Sequence, residues 1–189
     1  MSTTDEVPEL VSRALRHCLR TGWLETTRHE TGRLLATLAA SCRGTVAEAS
    51  TGSGVGVAWL RSGASPETRV VSVERDPQRA QQARENLEDS DVEVIDGGCD
   101  QLREHGPFSL LYMNRATAEL VERDLAWSLV EPGGLVVIDD FEPSGQWSTR
   151  EPQGLLTDRL LHGWLTDERF TSTETTLAAD LSVLIAARR

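Results

Sequence analysis

Between Thr45 and Asp76 the chain carries two features whose residue types and spacing could hold a nucleoside. The first is Glu48-Ala49-Ser50-Thr51-Gly52-Ser53-Gly54-Val55-Gly56, a glycine-rich stretch between a short β-branched run and a helical pattern. Glycines let a backbone approach a ligand closely, and the start of a helix offers N–H groups that have no partner inside the helix. Taken alone, the same stretch also suits a plain tight turn. The second feature is Glu74, at the end of the next apolar run and roughly 20 residues past the last glycines, a spacing at which a carboxylate can accept both hydroxyls of a ribose. Its competing reading is a strand-end carboxylate paired with Arg75 or Arg79.

The elements that must position these residues follow from periodicity. Val7, Leu10, Val11, Ala14, Leu15, Cys18 and Leu19 recur at helical spacing, and a second helix is expected from Glu30 to Cys42 with Gly44 beyond it as a C-cap signal. From Thr45 the plan changes to short apolar runs alternating with helical stretches, the pattern of βαβ units on a parallel sheet. The runs are Thr45–Ala49, Arg69–Val73, Val92–Ile95, Phe108–Met113 and Leu135–Ile138, the last entered through the turn Glu131-Pro132-Gly133-Gly134. Helices are expected at 54–61, 77–87 and 116–129, the second opened by Asp76 as N-cap and Pro77 at the first helical position. Phe170–Thr176 and Leu181–Ala187 are too close in sequence for a crossover helix and should pair as an antiparallel hairpin.

Length and charge bound the rest. The 189 residues suit one domain, with 1–43 as N-terminal helices and 44–189 as the α/β core. A net charge of −11 opposes binding to nucleic acid or an anionic bilayer. The opening MSTTDEVPEL lacks the pattern of a signal peptide and no apolar run could span a membrane, so a cytoplasmic protein is expected. Cys18, Cys42 and Cys99 are widely spaced and read as free thiols.

Glu48–Gly56, Val70–Asp76 and Leu129–Asp140 resemble the signature segments of class I S-adenosylmethionine-dependent methyltransferases. Glu30-Thr31-Gly32 before a Leu-rich helix, and Pro132–Asp140, are similar to the small O-methyltransferases of the catechol and caffeoyl-CoA type. The resemblance implies a doubly wound, Rossmann-like sheet of seven strands, mostly parallel, whose last strand inserts antiparallel. It further implies S-adenosylmethionine as cofactor and methyl transfer to an oxygen of a small acceptor. Carried over to this chain, Glu48 and the turn Ser50, Thr51, Gly52 and Gly54 would face the methionine part, Glu74 and Arg75 the ribose, and Gly98 with Cys99 the adenine. In the metal-dependent relatives a hard cation such as Mg²⁺ lowers the pKa of an acceptor hydroxyl. Its ligands here would be Asp139, Asp140 and Asn114, with Asn114 and Asp139 catalytic and Asn114 also near the cofactor.

The chain departs from that pattern at Ser50 for a glycine, Gly98 for an acid, Asn114 for an aspartate and Thr117 for a lysine. Asp96 or Asp100 could replace the adenine-contacting carboxylate. The bland reading of Asn114 is a strand-end residue closing Asx hydrogen bonds, and that of Asp139 and Asp140 is a polar role without metal. Among His17, His29, His105 and His162, His29 is the general-base candidate by position, against a solvated surface histidine. Trp147 could wall an aromatic acceptor, whereas Trp59 and Trp164 read as core. The clustered departures motivate two alternatives: a cofactor-binding protein that catalyses another reaction, or a binding or dimerisation module using the N-terminal helix, with a homodimer as its form.

Overall fold

The computed structural model describes residues 7–22, 26–144 and 158–189. The strands are β1 (Val46–Ala49), β2 (Val70–Glu74), β3 (Val92–Asp96), β4 (Phe108–Asn114), β5 (Val130–Phe141), β6 (Phe170–Ala178) and β7 (Leu181–Arg188). They form one sheet in the order β3-β2-β1-β4-β5-β7-β6. β1 to β5 run parallel, and β7 inserts antiparallel between β5 and β6, as the short 177–180 connection requires. This is the expected seven-stranded, Rossmann-like architecture.

Alternation along the strands divides the core into two layers. Val46, Val70, Leu110, Tyr112 and Val137 face one side, where they meet α1 (Glu9–Thr21), α2 (His29–Ser41), α3 (Val55–Gly63) and α4 (Pro77–Asn86). Ala47, Val71, Leu111, Met113, Val136 and Ile138 face the other side. There they are covered by a 3-10 turn (Cys99–Glu104), α5 (Arg115–Ala118), α6 (Arg123–Leu129) and α7 (Arg159–Leu165). Burial on both faces explains why the central strands read as unbroken apolar runs.

Several local expectations are met in detail. Asp76 caps α4, its Oδ1 accepting from the N–H groups of Gln78 and Arg79, with Pro77 in the first turn. The expected 116–129 helix is instead two short ones, because Asn114 caps α5 through an Oδ1 bond from the Thr117 N–H and the chain turns again before Arg123. The Glu131–Gly134 turn lies inside β5 as a bulge: Phe108 pairs with Val130 and Leu110 with Leu135. Gly133 takes φ +81° there. Gly44 is not the C-cap of α2, whose C-cap is Cys42; its N–H bonds the Ser109 hydroxyl, and a Cβ would lie 2.4 Å from that oxygen.

The N-terminal helix has a place in the domain: Val11, Ala14 and Cys18 are buried against α3 and α4. A dimer contact through α1 would have to use its other face, where Leu19 is 77% exposed. Trp59 and Trp164 are core. Trp23 and Trp147 lie outside the described residues. All three cysteines are free, and among the described residues no helix is long and apolar enough to cross a membrane.

Candidate functional site

Register brings the polar residues of four strand ends together. Glu48 pairs with Ser72 on one side and Tyr112 on the other, and Asn114 pairs with Asp139. In parallel strands in-register side chains share a face. The carboxylates of β1, β2 and β5 and the Tyr112 phenol therefore all project toward the α1–α4 layer, at the C-terminal edge of the sheet. Above that edge lies a cleft of about 570 Å³. Edges of this kind are where open α/β sheets bind ligands.

At one end of the cleft the β1–α3 turn forms the wall. Ser50 and Gly52 adopt left-handed conformations, φ +81° and +53°, and Gly54 at +87° is the N-cap of α3. Glu48, Ser50, Thr51 and Gly52 line the cleft, whereas Gly54 only shapes it from below. Gly56 admits the buried Glu48: a Cβ there would come within 2.0 Å of Glu48 Oε1 and 2.8 Å of Tyr112 Cε1. Burial pushes the Glu48 carboxyl well above the usual carboxylate range, against bonds from Ser72 and the Val57 backbone that favour its charge.

Glu74 stands behind this turn rather than in the cleft wall. It is 4% exposed, its Oε2 accepts from Gly52 N–H at 2.8 Å and its Oε1 from Asp76 N–H at 3.0 Å. Buried and held by two backbone donors, it is not the solvated strand-end carboxylate. Arg75 is exposed and acts electrostatically on Cys99, whose thiol is pushed up by burial. These two and Gly98 sit at the β2–β3 end, outside the cleft lining. Asp96 is held by Arg84 at 2.8 Å, which leaves Asp100, beside Gly98, as the available carboxylate.

At the other end Asn114, Asp139 and Asp140 line the cleft with Ala116, Thr117 and Leu120 of the α5 segment. Asp139 is 4% exposed, accepts a bond from the Tyr112 hydroxyl, and its Oδ1 has no hydrogen-bond partner among the described residues. Burial, first of all, pushes its carboxyl up to about 6, the Tyr112 bond opposing. The phenol also bonds the Thr27 hydroxyl at 3.1 Å. Asp140 takes φ +68°, a conformation that Asp and Asn tolerate better than other side chains. His29 is outside the cleft: it is exposed and stands edge-on to Trp59, 5.7 Å between ring centroids.

Tyr112 went unnoticed in the sequence, although its signal was there. It lies two residues before Asn114 on a β-strand, and so on the same face. Arg28, which faces the cleft from the start of α2 and pairs with Asp180 at 3.0 Å, had no such signal, because its partner is distant in the chain.

To a hard divalent cation Asp139, Asp140 and Asn114 would offer two carboxylates and the Asn114 Oδ1 lone pair that the Thr117 N–H leaves open, and among the described residues no group of three His, Cys, Asp or Glu side chains converges. The glycine turn suits a nucleoside cofactor, since left-handed positions at Ser50, Gly52 and Gly54 bring the chain of residues 50–53 to the cleft edge.

Sheet order, antiparallel seventh strand and a glycine turn below the cleft define a class I S-adenosylmethionine-dependent methyltransferase fold. The family model for protein-L-isoaspartate(D-aspartate) O-methyltransferase (PCMT) matches residues 27–146, and the chain belongs to that family. It is 35% identical over 136 residues to a protein-L-isoaspartate O-methyltransferase of Aeropyrum pernix, covering 68% of this chain and 52% of that one. It is 33% identical over 124 residues to a catechol O-methyltransferase of Mycobacterium tuberculosis, covering 60% and 56%. The chain thus spans about half the length of these curated relatives. An O-methyltransferase from Bacillus cereus, solved in complex with SAH, superposes with a TM-score of 0.74 at 19% identity over 99% of this chain and 94% of that one.

Proposed function

We propose that the chain binds S-adenosylmethionine and directs its methyl group to an oxygen of a small-molecule acceptor. The observation that carries this reading is the cleft itself, with the β1–α3 glycine turn at one end and the polar ends of β4 and β5 at the other. When bound, the cofactor supplies an electrophilic sulfonium methyl that an acceptor lone pair attacks in line. Such chemistry needs alignment and exclusion of water more than acid or base strength.

The chain's own residues divide the work. Glu48 and the turn 50–54 hold the methionine end. Glu74 fixes the turn and, with the second lone pair of each carboxylate oxygen, can accept from ribose hydroxyls. Arg75, Gly98, Cys99 and Asp100 border the adenine end. Asn114 and Asp139 meet the acceptor. The chain has no lysine and His29 faces away from the cleft, so Asp139, braced by Tyr112, is the group placed to hold an acceptor proton.

Calorimetric titration with S-adenosylmethionine and S-adenosylhomocysteine tests the shared premise, with micromolar binding of both expected. Mass spectrometry of candidate acceptors should then show gain of one methylene. Binding without any such product across phenols, carboxylates and alcohols would favour a cofactor-dependent reaction of another kind, and no binding at millimolar concentration would favour a non-catalytic module.

A further inference from the structure

The methionine end of S-adenosylmethionine is a zwitterion, and its two charges ask for opposite partners. A carboxyl such as Glu48 suits the ammonium, whereas the carboxylate calls for N–H donors and positive charge. Among the described residues two cationic side chains line the cleft, Arg28 and Arg79. Arg79 stands on α4 and approaches Asp76 at 3.9 Å, on the side where Glu74 ties the glycine turn to that helix. Arg28 follows Thr27, whose hydroxyl bonds Tyr112 at 3.1 Å and would lie 2.9 Å from a Cβ at Gly56, beside Glu48. The guanidinium at the methionine end is therefore that of Arg28.

Asp180 does not exhaust this guanidinium. The Asp180 carboxylate accepts from Nη2 at 3.1 Å and lies 3.0 Å from Nη1, and Glu30 stands 3.7 Å from Nε, beyond hydrogen-bond reach. A guanidinium carries five N–H donors in a fixed fork, so it can serve a second carboxylate without releasing the first. Asp180 is 74% exposed, and an ion pair so open to water adds little stability. What the pair does is fix a long side chain, linking the start of α2 to the β6–β7 turn while the guanidinium stays on the cleft wall, within the field of Asp140. α2 begins at the next residue without a side-chain cap, so the positive end of its dipole adds to the charge of Arg28.

We propose that Arg28 receives the carboxylate of the cofactor's methionine end. This rests on the methyl-transfer reading and gives it a cofactor-binding residue outside the glycine turn.

The test is a cycle between residue and ligand. Calorimetry gives the affinity of the full chain for S-adenosylhomocysteine and for its decarboxylated analogue, in which hydrogen replaces the α-carboxylate. The parent should prefer S-adenosylhomocysteine roughly tenfold, as expected of one charge-assisted pair. Arg28→Gln should cut that preference to about threefold or less by weakening S-adenosylhomocysteine alone, with the analogue within about twofold of its parent affinity, which also shows that the variant's site is intact. Arg28→Lys, which keeps the charge and loses the fork, should retain part of the preference. Asp180→Asn breaks the ion pair from its far side, and Arg20→Gln removes an equal charge from an exposed position outside the cleft; both should keep a preference of about fivefold or more. The inference is overturned if Arg28→Gln keeps the parent's preference, if it weakens both ligands alike, or if Asp180→Asn or Arg20→Gln reproduces its effect. If S-adenosylhomocysteine binds and its preference over the analogue does not depend on Arg28, the role of this residue fails and the methyltransferase reading stands; if S-adenosylhomocysteine does not bind at millimolar concentration, both fail.

Discussion

Glu74 offers the sharpest perturbation of the cofactor end. Its two carboxylate oxygens accept from Gly52 and Asp76 N–H groups at 2.8 and 3.0 Å, so one side chain ties the glycine turn to the start of α4. In Glu74→Gln the amide oxygen can keep one of these bonds, while the amide nitrogen must face the other N–H, donor against donor. A hydrogen bond to a charged acceptor contributes about 1.5–3 kcal/mol, and an unsatisfied buried donor costs a similar amount. Partial access of water to the turn offsets some of this, so a loss of about 2 kcal/mol in unfolding free energy is expected. The freed turn must also be reordered when cofactor binds. That cost should weaken S-adenosylhomocysteine binding by roughly ten- to a hundredfold, at 1.4 kcal/mol per decade. Urea denaturation read by circular dichroism gives the first quantity and calorimetry the second. A Glu74→Gln variant with an unchanged urea midpoint and affinity within about twofold of the parent would refute the idea that this carboxylate organises the cofactor turn.

Two further outcomes are expected. Gly63→Ala should destabilise the domain by about 1–3 kcal/mol in chemical denaturation, because the added Cβ would lie 2.0 Å from the Ala36 carbonyl oxygen and must push α2 away from α3; a midpoint equal to the parent's would show that these helices part freely. Asp139, pushed up to about 6 in the fold, binds its proton more tightly there than in the unfolded chain, so its contribution to stability is present below pH 4 and is lost as pH rises toward 6. Asp139→Asn should therefore gain up to about 3 kcal/mol over the parent at pH 7 and little at pH 4, and a difference between the two proteins that does not change with pH across that window would contradict the burial-driven shift.

Much of the fold was legible in the chain. Periodicity showed five parallel strands and a terminal hairpin, since a strand buried on both faces reads as an apolar run, and three or four residues cannot house a crossover. Asp76-Pro77 marked a helix start because capping is a local matter of one side chain and two nearby N–H groups. The 159–165 helix was missed: at seven residues it shows too little of a 3.6-residue repeat, and its place is fixed by Leu161 and Trp164 packing on the sheet. The β5 bulge was likewise hidden, because Pro132-Gly133-Gly134 suits a turn before a strand and a bulge within one equally well.

The candidate site divides along the same line. The sequence by itself determined which chemical groups reach the C-terminal edge of the sheet, since alternation along β1, β4 and β5 puts Glu48, Asn114 and Asp139 on one face. Only the tertiary structure decided what each group meets there. Glu74 is turned inward by two backbone donors, Asn114 is taken by the Thr117 N–H, His29 is carried off by Trp59, and Asp139 is braced by a tyrosine from the neighbouring strand. A residue's type and spacing fix what it can donate or accept, whereas its partner and its exposure to water arise from chain segments far apart in sequence, and those set its charge and its chemistry.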